Sequence, residues 1–167
     1  MTQSLDQYVL VAMLPLTTAA LLIAFPWSRR FAIPFRVAVL TSVSIALILA
    51  FTLVARMLEL TQWGDGELSA SWLTDAALWS ESLRIDRPWI LNAVLFVPAG
   101  FALAKVARRA WISVAALAAL SIAIEFTQRL LMVGAPDPAD LVANIVGATL
   151  GALIAEGTTR LSCARGR

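Results

Sequence analysis

Five stretches of the chain are apolar over a length close to the roughly 20 residues that a helix needs to cross a bilayer. They run from about Tyr8 to Phe25, Val37 to Ala55, Pro88 to Ala104, Ala110 to Val133 and Leu141 to Ala155. Pro26, Trp27, Arg29 and Arg30 close the first, Arg36 and Arg56 flank the second, and Arg87 and Lys105 bound the third. The fifth is short, which puts Asp140 and Glu156 near the two interfaces. Between the second and third lies a longer loop, 59–87. There Leu68, Trp72, Trp79 and Leu83 recur at helical spacing while Asp75, Ser82 and Asp86 fall off that stripe. The pattern fits an amphipathic helix lying in the interface and equally a small packed cap over the bundle. The prediction is an all-α, polytopic transmembrane helix bundle of about five spans, a single membrane domain over residues 1–167 without internal repeats.

Composition strengthens this reading. The chain has 167 residues, 60% of them hydrophobic, with a mean hydropathy of +0.81. Soluble domains rarely exceed about half apolar residues. The residues before the first apolar run, Met1 to Gln7, carry Asp6 and no basic side chain, and no small-residue cleavage pattern follows the run, so it is expected to be a retained helix rather than a signal peptide. The net charge of +2 is dispersed between the apolar runs, which excludes a nucleic-acid footprint and instead reports orientation. Arg29, Arg30 and Arg36, then Lys105, Arg108 and Arg109, then Arg160, Arg165 and Arg167 all fall on one side. The other side carries Glu59, Asp65, Glu67, Asp75, Glu81 and Asp86 against Arg84 and Arg87. The positive-inside rule then predicts an N-out, C-in topology, with Trp27 and Trp111 in the cytoplasmic aromatic belt and Trp89 in the outer one. There is no His, and the single Cys163 precludes a disulfide within the chain. No cofactor or resident metal is expected, although Asp137 and Asp140, spaced i,i+3, could hold a divalent cation at the surface through oxygen ligands.

Polar residues inside the spans are few, and each is costly, roughly 2.5–3.5 kcal/mol for a charge at a helix centre. They are Asn92 in the third span, Glu125, Gln128 and Arg129 in the fourth, and Asp140 and Asn144 in the fifth, with Asp137 in the hairpin before it. Glu125 and Arg129 are spaced i,i+4, as are Asp140 and Asn144, and Glu125 and Gln128 are spaced i,i+3. Glu125 stands about 8 residues from the end of its span, roughly 12 Å deep at 1.5 Å per residue. All seven groups fall in the outer half of the bilayer. Asn92 and Asn144 are as readily interhelical glue as site residues, and Arg129 is placed to snorkel to the headgroups. Glu125 is too deep and short to do so, and is the leading candidate for a functional group. Gly147 and Gly151 form a small-xxx-small face, and Pro98 and Gly100 interrupt the third span, which can open a polar cavity.

Three blocks of this sequence resemble the VanZ-like family. Asn92-Ala-Val-Leu-Phe96-Val-Pro98-Ala-Gly100-Phe101 is similar to its N-x-x-L-F-x-P-x-G-F stretch, Ser121-Ile-Ala-Ile-Glu125-Phe-Thr-Gln128 to its S-x-x-x-E-x-x-Q, and Asp137 to Gly151 to its D-x-x-D-x-x-x-N-x-x-G-x-x-x-G. The blocks stand in the family's order over about 65 residues. One departure is Gly134-Ala135-Pro136, where the family often has an arginine before the first hairpin aspartate. The resemblance implies a multi-pass protein of the bacterial cytoplasmic membrane. The family takes its name from a protein conferring low-level teicoplanin resistance. The resemblance supplies a site list and an envelope setting but no reaction.

Two functions compete on this basis. One is an outward-facing pocket built from Asn92, Glu125, Gln128, Arg129, Asp140 and Asn144, with membrane lipids around it. That pocket would bind the headgroup of an envelope lipid or lipid-linked cell-wall precursor, or would modulate glycopeptide susceptibility. The other is an intramembrane enzyme acting on an envelope lipid or glycolipid, with Glu125, Asp137 and Asp140 as catalytic candidates sharing general acid and base work. One-sided polar residues argue against a transport path through a single chain.

Overall fold

A computed structural model describes residues 2–54, 74–81, 85–132 and 137–165. Among these the chain is helical throughout, with no strand. We number the helices α1 (Thr2–Arg30), α2 (Phe35–Leu49, continued by a π-helical turn at Ala50–Val54), α3 (Ala76–Glu81), α4 (Arg87–Ala107), α5 (Ala110–Leu130) and α6 (Pro138–Arg165). Four segments are long and apolar enough to cross a membrane: Phe35–Val54, Arg87–Ala107, Ala110–Leu130 and Pro138–Ser162. The remaining expected span coincides with the 29-residue α1. Of the stripe expected in the loop, Trp79 lies in α3, whereas Leu68, Trp72 and Leu83 lie outside the described residues.

Local chemistry accounts for the boundaries. Helix α1 stops at Ala32, which adopts a left-handed φ of 51°, and the Ile33 N–H closes back onto the Ser28 carbonyl at 3.0 Å. Such a 6→1 bond satisfies a terminal carbonyl that lipid cannot. Pro34 then opens α2, its carbonyl accepting from the Val37 N–H at 2.8 Å. The Asp86 side chain caps α4 through the Trp89 N–H at 2.9 Å, with Pro88 in the first turn, where a missing N–H is harmless. Asp137 starts α6: its carboxylate accepts from the Ala139 N–H at 2.8 Å and its carbonyl from the Asp140 N–H at 3.1 Å, ahead of Pro138. The buried hydroxyls of Thr41 and Ser44 return to their own helix, to the Val37 and Leu40 carbonyls at 2.9 and 2.7 Å. Neither of these two hydroxyls is thereby left facing hydrocarbon unpaired.

Two elements outrun their expected ends. Helix α4 continues through Pro98 to Ala107, and α6 continues ten residues past Ala155 to Arg165. Gly157 does not end α6. Thr158 and Thr159 bond back to the Ala155 carbonyl, Ser162 to that of Thr158, and Glu156 pairs with Arg160 at 3.6 Å.

The bundle is organised on α4 and α6, which pack backbone against backbone. A methyl group built on Gly147 would overlap the Ala93 carbonyl oxygen, one on Gly151 that of Val97, and one on Gly100 that of Ala148. Around this seam Ile48, Phe96, Ala99, Leu117, Ile124 and Ala148 form the main buried cluster, drawing in α2 and α5. A second cluster joins Ala104, Ala152 and Ala155. Helix α1 packs on α2 and the π turn, and α3 touches α6. Leu22, Val94, Leu153 and Ile154 project outward, as lipid-facing side chains do. Gly147→Ala should therefore cost on the order of 1–3 kcal/mol of stability by overpacking the seam, read as a lower thermal midpoint in detergent. Gly157→Ala, which meets no atom within 4 Å, should leave that midpoint unchanged or raise it.

Candidate functional site

The polar groups of α4, α5 and α6 and the end of α2 meet at one end of the bundle, joined by hydrogen bonds between elements far apart in sequence. The Asn92 Nδ2 of α4 donates to the Asp140 Oδ1 of α6, 48 residues away. The Asn144 Nδ2 of α6 donates to the Ser121 Oγ of α5 at 2.8 Å, and both residues are buried. From α5, the Gln128 Nε2 donates to the Thr52 carbonyl at 2.6 Å. That carbonyl lies in the π-helical turn, where the wider i→i+5 spacing disturbs the regular α ladder; such turns are frequent at functional sites.

Glu125 is the deepest carboxylate of the group, with 2% of its surface exposed. Its Oε2 accepts from the Asp137 backbone N–H at 3.1 Å, so it ties the end of α5 to the turn that starts α6. A carboxylate there is not simply stranded in the bundle, since a peptide N–H at a helix N-terminus is a favourable partner for it. Asp137 differs in role from the other two acids. Its side chain is exposed and is engaged in capping α6. Among the described residues, no three groups capable of binding a metal come together.

One atom of the cluster stands apart. Asn144 is 4% exposed, and its Oδ1 is buried with no hydrogen-bond partner. Leaving a buried acceptor unmet costs roughly 1–3 kcal/mol, so it marks a place where a donor is wanted. The Trp89 Nε1, near the start of α4, is likewise buried and unpartnered.

The structure thus gathers Asn92, Glu125, Gln128, Asp140 and Asn144, together with the Asp137 backbone. Arg129 is not part of the buried group. It is exposed in the last turn of α5 and forms no ion pair with Glu125, despite the i,i+4 spacing. The helix turns Glu125 and Gln128 inward, and the fourth residue of that face carries its long side chain out, as a snorkelling arginine does. Two partners were missed from sequence. Ser121 stands one turn before Glu125 on the same face and was legible as such. The Thr52 carbonyl belongs to a π turn and carried no side-chain signal. Helix α4 continues through Pro98, which lines neither the cavity at the far end of α4 and α6 nor the one between α1 and α2.

These features define a polytopic helical membrane protein with a buried polar cluster at one end. The family model described as VanZ/LLP1 matches residues 14–159, most of the chain, and the protein belongs to that family. Neither curated proteins nor solved structures gave a match.

If Asn92 and Asp140 hold α4 to α6 directly, a double-mutant cycle on Asn92→Leu and Asp140→Leu should return a coupling of about 0.6–1.7 kcal/mol, the range for polar pairs between membrane helices. Denaturation in mixed micelles would measure it, and single-variant losses that simply add would dissolve the pair.

Proposed function

We propose that this protein binds the polar headgroup of an envelope lipid or lipid-linked cell-wall precursor in the bacterial cytoplasmic membrane, and through it modulates susceptibility to teicoplanin-type glycopeptides. The observation that carries this reading is the unpartnered Asn144 Oδ1 inside an otherwise interlocked polar cluster. A cluster serving only as glue would satisfy its own members. This one keeps an acceptor for an incoming hydroxyl or amide, the groups that sugar and peptide headgroups offer. Asn92, Glu125, Gln128 and Asp140 hold the surrounding helices in place, and Arg129 stands outside the cluster, available to a phosphate near the surface. The headgroup would enter from the end where α4 and α6 begin.

That end faces outward in our reading, with the N-terminus out and the C-terminus in, on the strength of the basic loops. The natural Cys163 gives a direct check. In intact cells, a membrane-impermeant maleimide should leave it unlabelled and should label it after permeabilisation. Labelling in intact cells would invert the topology and place the polar cluster on the cytoplasmic side.

The functional test is Asn144→Leu, compared with Leu153→Ala on the lipid-facing surface. Asn144→Leu should abolish any protein-dependent shift in teicoplanin susceptibility at unchanged protein level, and Leu153→Ala should preserve it. An unaltered susceptibility in Asn144→Leu would remove the headgroup site from the explanation.

A further inference from the structure

A second concentration of chemistry lies at the opposite end of the bundle. A cavity of about 490 Å³ opens between the last turn of α4, the α4–α5 turn and the C-terminal turns of α6. Lys105, Arg108, Arg109 and Arg160 line it, four cations against the single carboxylate of Glu156. A second cavity among the described residues, between α1 and α2, is walled by residues such as Leu16, Ala20, Ile23, Ile45 and Leu49 and has no comparable charge. Dispersed basic residues are expected wherever short loops face the cytoplasm. Basic residues arranged around a cavity are a more specific feature.

The four cations are not equivalent. The Lys105 Nζ uses its three hydrogens on the Ala155 carbonyl at 2.9 Å, the Thr158 Oγ1 at 2.8 Å and the Thr159 Oγ1 at 2.7 Å, and sits 5.5 Å from the centre of the Phe101 ring. It therefore fixes the wall between α4 and α6 and contributes charge rather than contacts. Arg160 makes a 3.6 Å contact with Glu156 while 84% exposed, a surface pair that a stronger anion can displace. Arg108 and Arg109 are exposed and make no hydrogen bond or ion pair with other described residues. Their backbone is set by the turn, Arg108 left-handed at φ 57° and Arg109 extended at φ −150°. Arg109 also stands at the N-terminus of α5, where no side chain caps the helix and the dipole adds positive potential.

A guanidinium presents a fork of N–H groups that matches two oxygens of a phosphate. Two such forks, free and adjacent, above a lysine already locked in place, define a phosphate site. The surroundings indicate where the phosphate comes from. Trp111, two residues beyond Arg109, is 65% exposed, and Leu161, one beyond Arg160, is 63% exposed. A soluble phosphate has no use for such apolar flanks. A lipid phosphate carries acyl chains that would lie against them. We propose that this cavity binds the phosphate of an anionic membrane lipid, at the end of the bundle away from the Asn144 cluster and independently of it.

The full-length protein in detergent, titrated with phosphatidylglycerol, phosphatidylcholine or inorganic phosphate, tests this by lipid retention in native mass spectrometry and by thermal midpoint. Phosphatidylglycerol should be retained in preference to phosphatidylcholine. The Arg108→Gln, Arg109→Gln double variant should weaken that retention about thirtyfold, and Arg160→Gln about fivefold, the scale of removing two or one interfacial charges. Arg29→Gln, Arg30→Gln removes the same charge from the same end of the bundle, but neither residue lines the cavity, so retention should stay within about twofold of the parent because screening limits the reach of exposed charge. Because Arg160 is a surface residue, its variant keeps the test open should the double variant fail to fold. Equal retention of the two lipids would overturn the proposal, as would an equal loss in the Arg29/Arg30 variant, which would assign the effect to surface charge alone. Stabilisation by inorganic phosphate matching that by phosphatidylglycerol, with the same dependence on Arg108 and Arg109, would assign the site to a soluble anion and overturn the lipid reading.

Discussion

Everything at the polar end depends on how closely α4 and α6 approach. Gly147 against the Ala93 carbonyl, Gly151 against that of Val97 and Gly100 against Ala148 leave no room for a single methyl group along the seam. In lipid the apolar effect does not drive helices together, so dispersion contact and interhelical hydrogen bonds must do so, and glycine maximises the first. The same approach sets up the second. Asn92 lies one residue before Ala93 on α4, and Asp140 lies two helical turns before Gly147 on α6. With the backbones in contact at Ala93 and Gly147, these two short side chains can reach each other directly. A wider seam would leave an amide and a carboxylate facing hydrocarbon.

The remaining polar contacts follow from that geometry. Helix α5 lies against the pair with Ser113, Ser121, Glu125 and Gln128 buried on one face, spaced so that they run along its inner side. Each finds a partner on a different element: the Gly100 carbonyl on α4 for Ser113, Asn144 on α6 for Ser121, the Asp137 N–H before α6 for Glu125, and the Thr52 carbonyl after α2 for Gln128. One α5 face therefore reads three other elements. This is a costly way to build a bundle if packing were its only purpose, since leucines in those positions would incur no desolvation. Specificity of assembly explains most of it, and the unmet Asn144 acceptor is the part that assembly does not explain.

Much of this was legible in the sequence because hydrocarbon is an exacting solvent. A span must be apolar and helical, so its position can be read from composition, and any polar residue inside one has a reason to be there. Asn92, Glu125, Gln128, Asp140 and Asn144 could be picked out on that ground, and Gly147 and Gly151 on their spacing. What escaped was backbone geometry and direction. The π turn that presents the Thr52 carbonyl has no signature in Ala50–Val54. The i,i+4 spacing of Glu125 and Arg129 fixes only a general face, and at the edge of a buried stripe a long flexible cation turns outward, as a snorkelling arginine does, while a short carboxylate turns in. Helix α6 runs beyond the apolar span that ends near Ala155 for a related reason. Hydropathy ends near Ala155, but the helix is carried on by hydroxyl back-bonds, an ion pair and the clasp of Lys105.

The two ends of the bundle solve the same problem in opposite ways. Where α4 and α6 begin, polar groups are drawn inward and paired across helices, with Ser121, Glu125, Gln128 and Asn144 buried and Asn92 and Asp140 half-buried. Where they end, the charges stand at the rim, and a single lysine is tied down while Arg108 and Arg109 stay free and Arg160 makes only a surface pair with Glu156. The difference follows from side-chain length. Asn, Asp and Ser are too short to escape the bundle and must be satisfied within it, whereas Arg can keep its head outside while its stem lies on apolar surface. A protein so built holds the end with the polar cluster rigid through many mutual contacts, while the arginines at the opposite rim are held by few. Selectivity for a shaped, hydrogen-bonding headgroup belongs to the first kind of surface, and recognition of phosphate charge to the second.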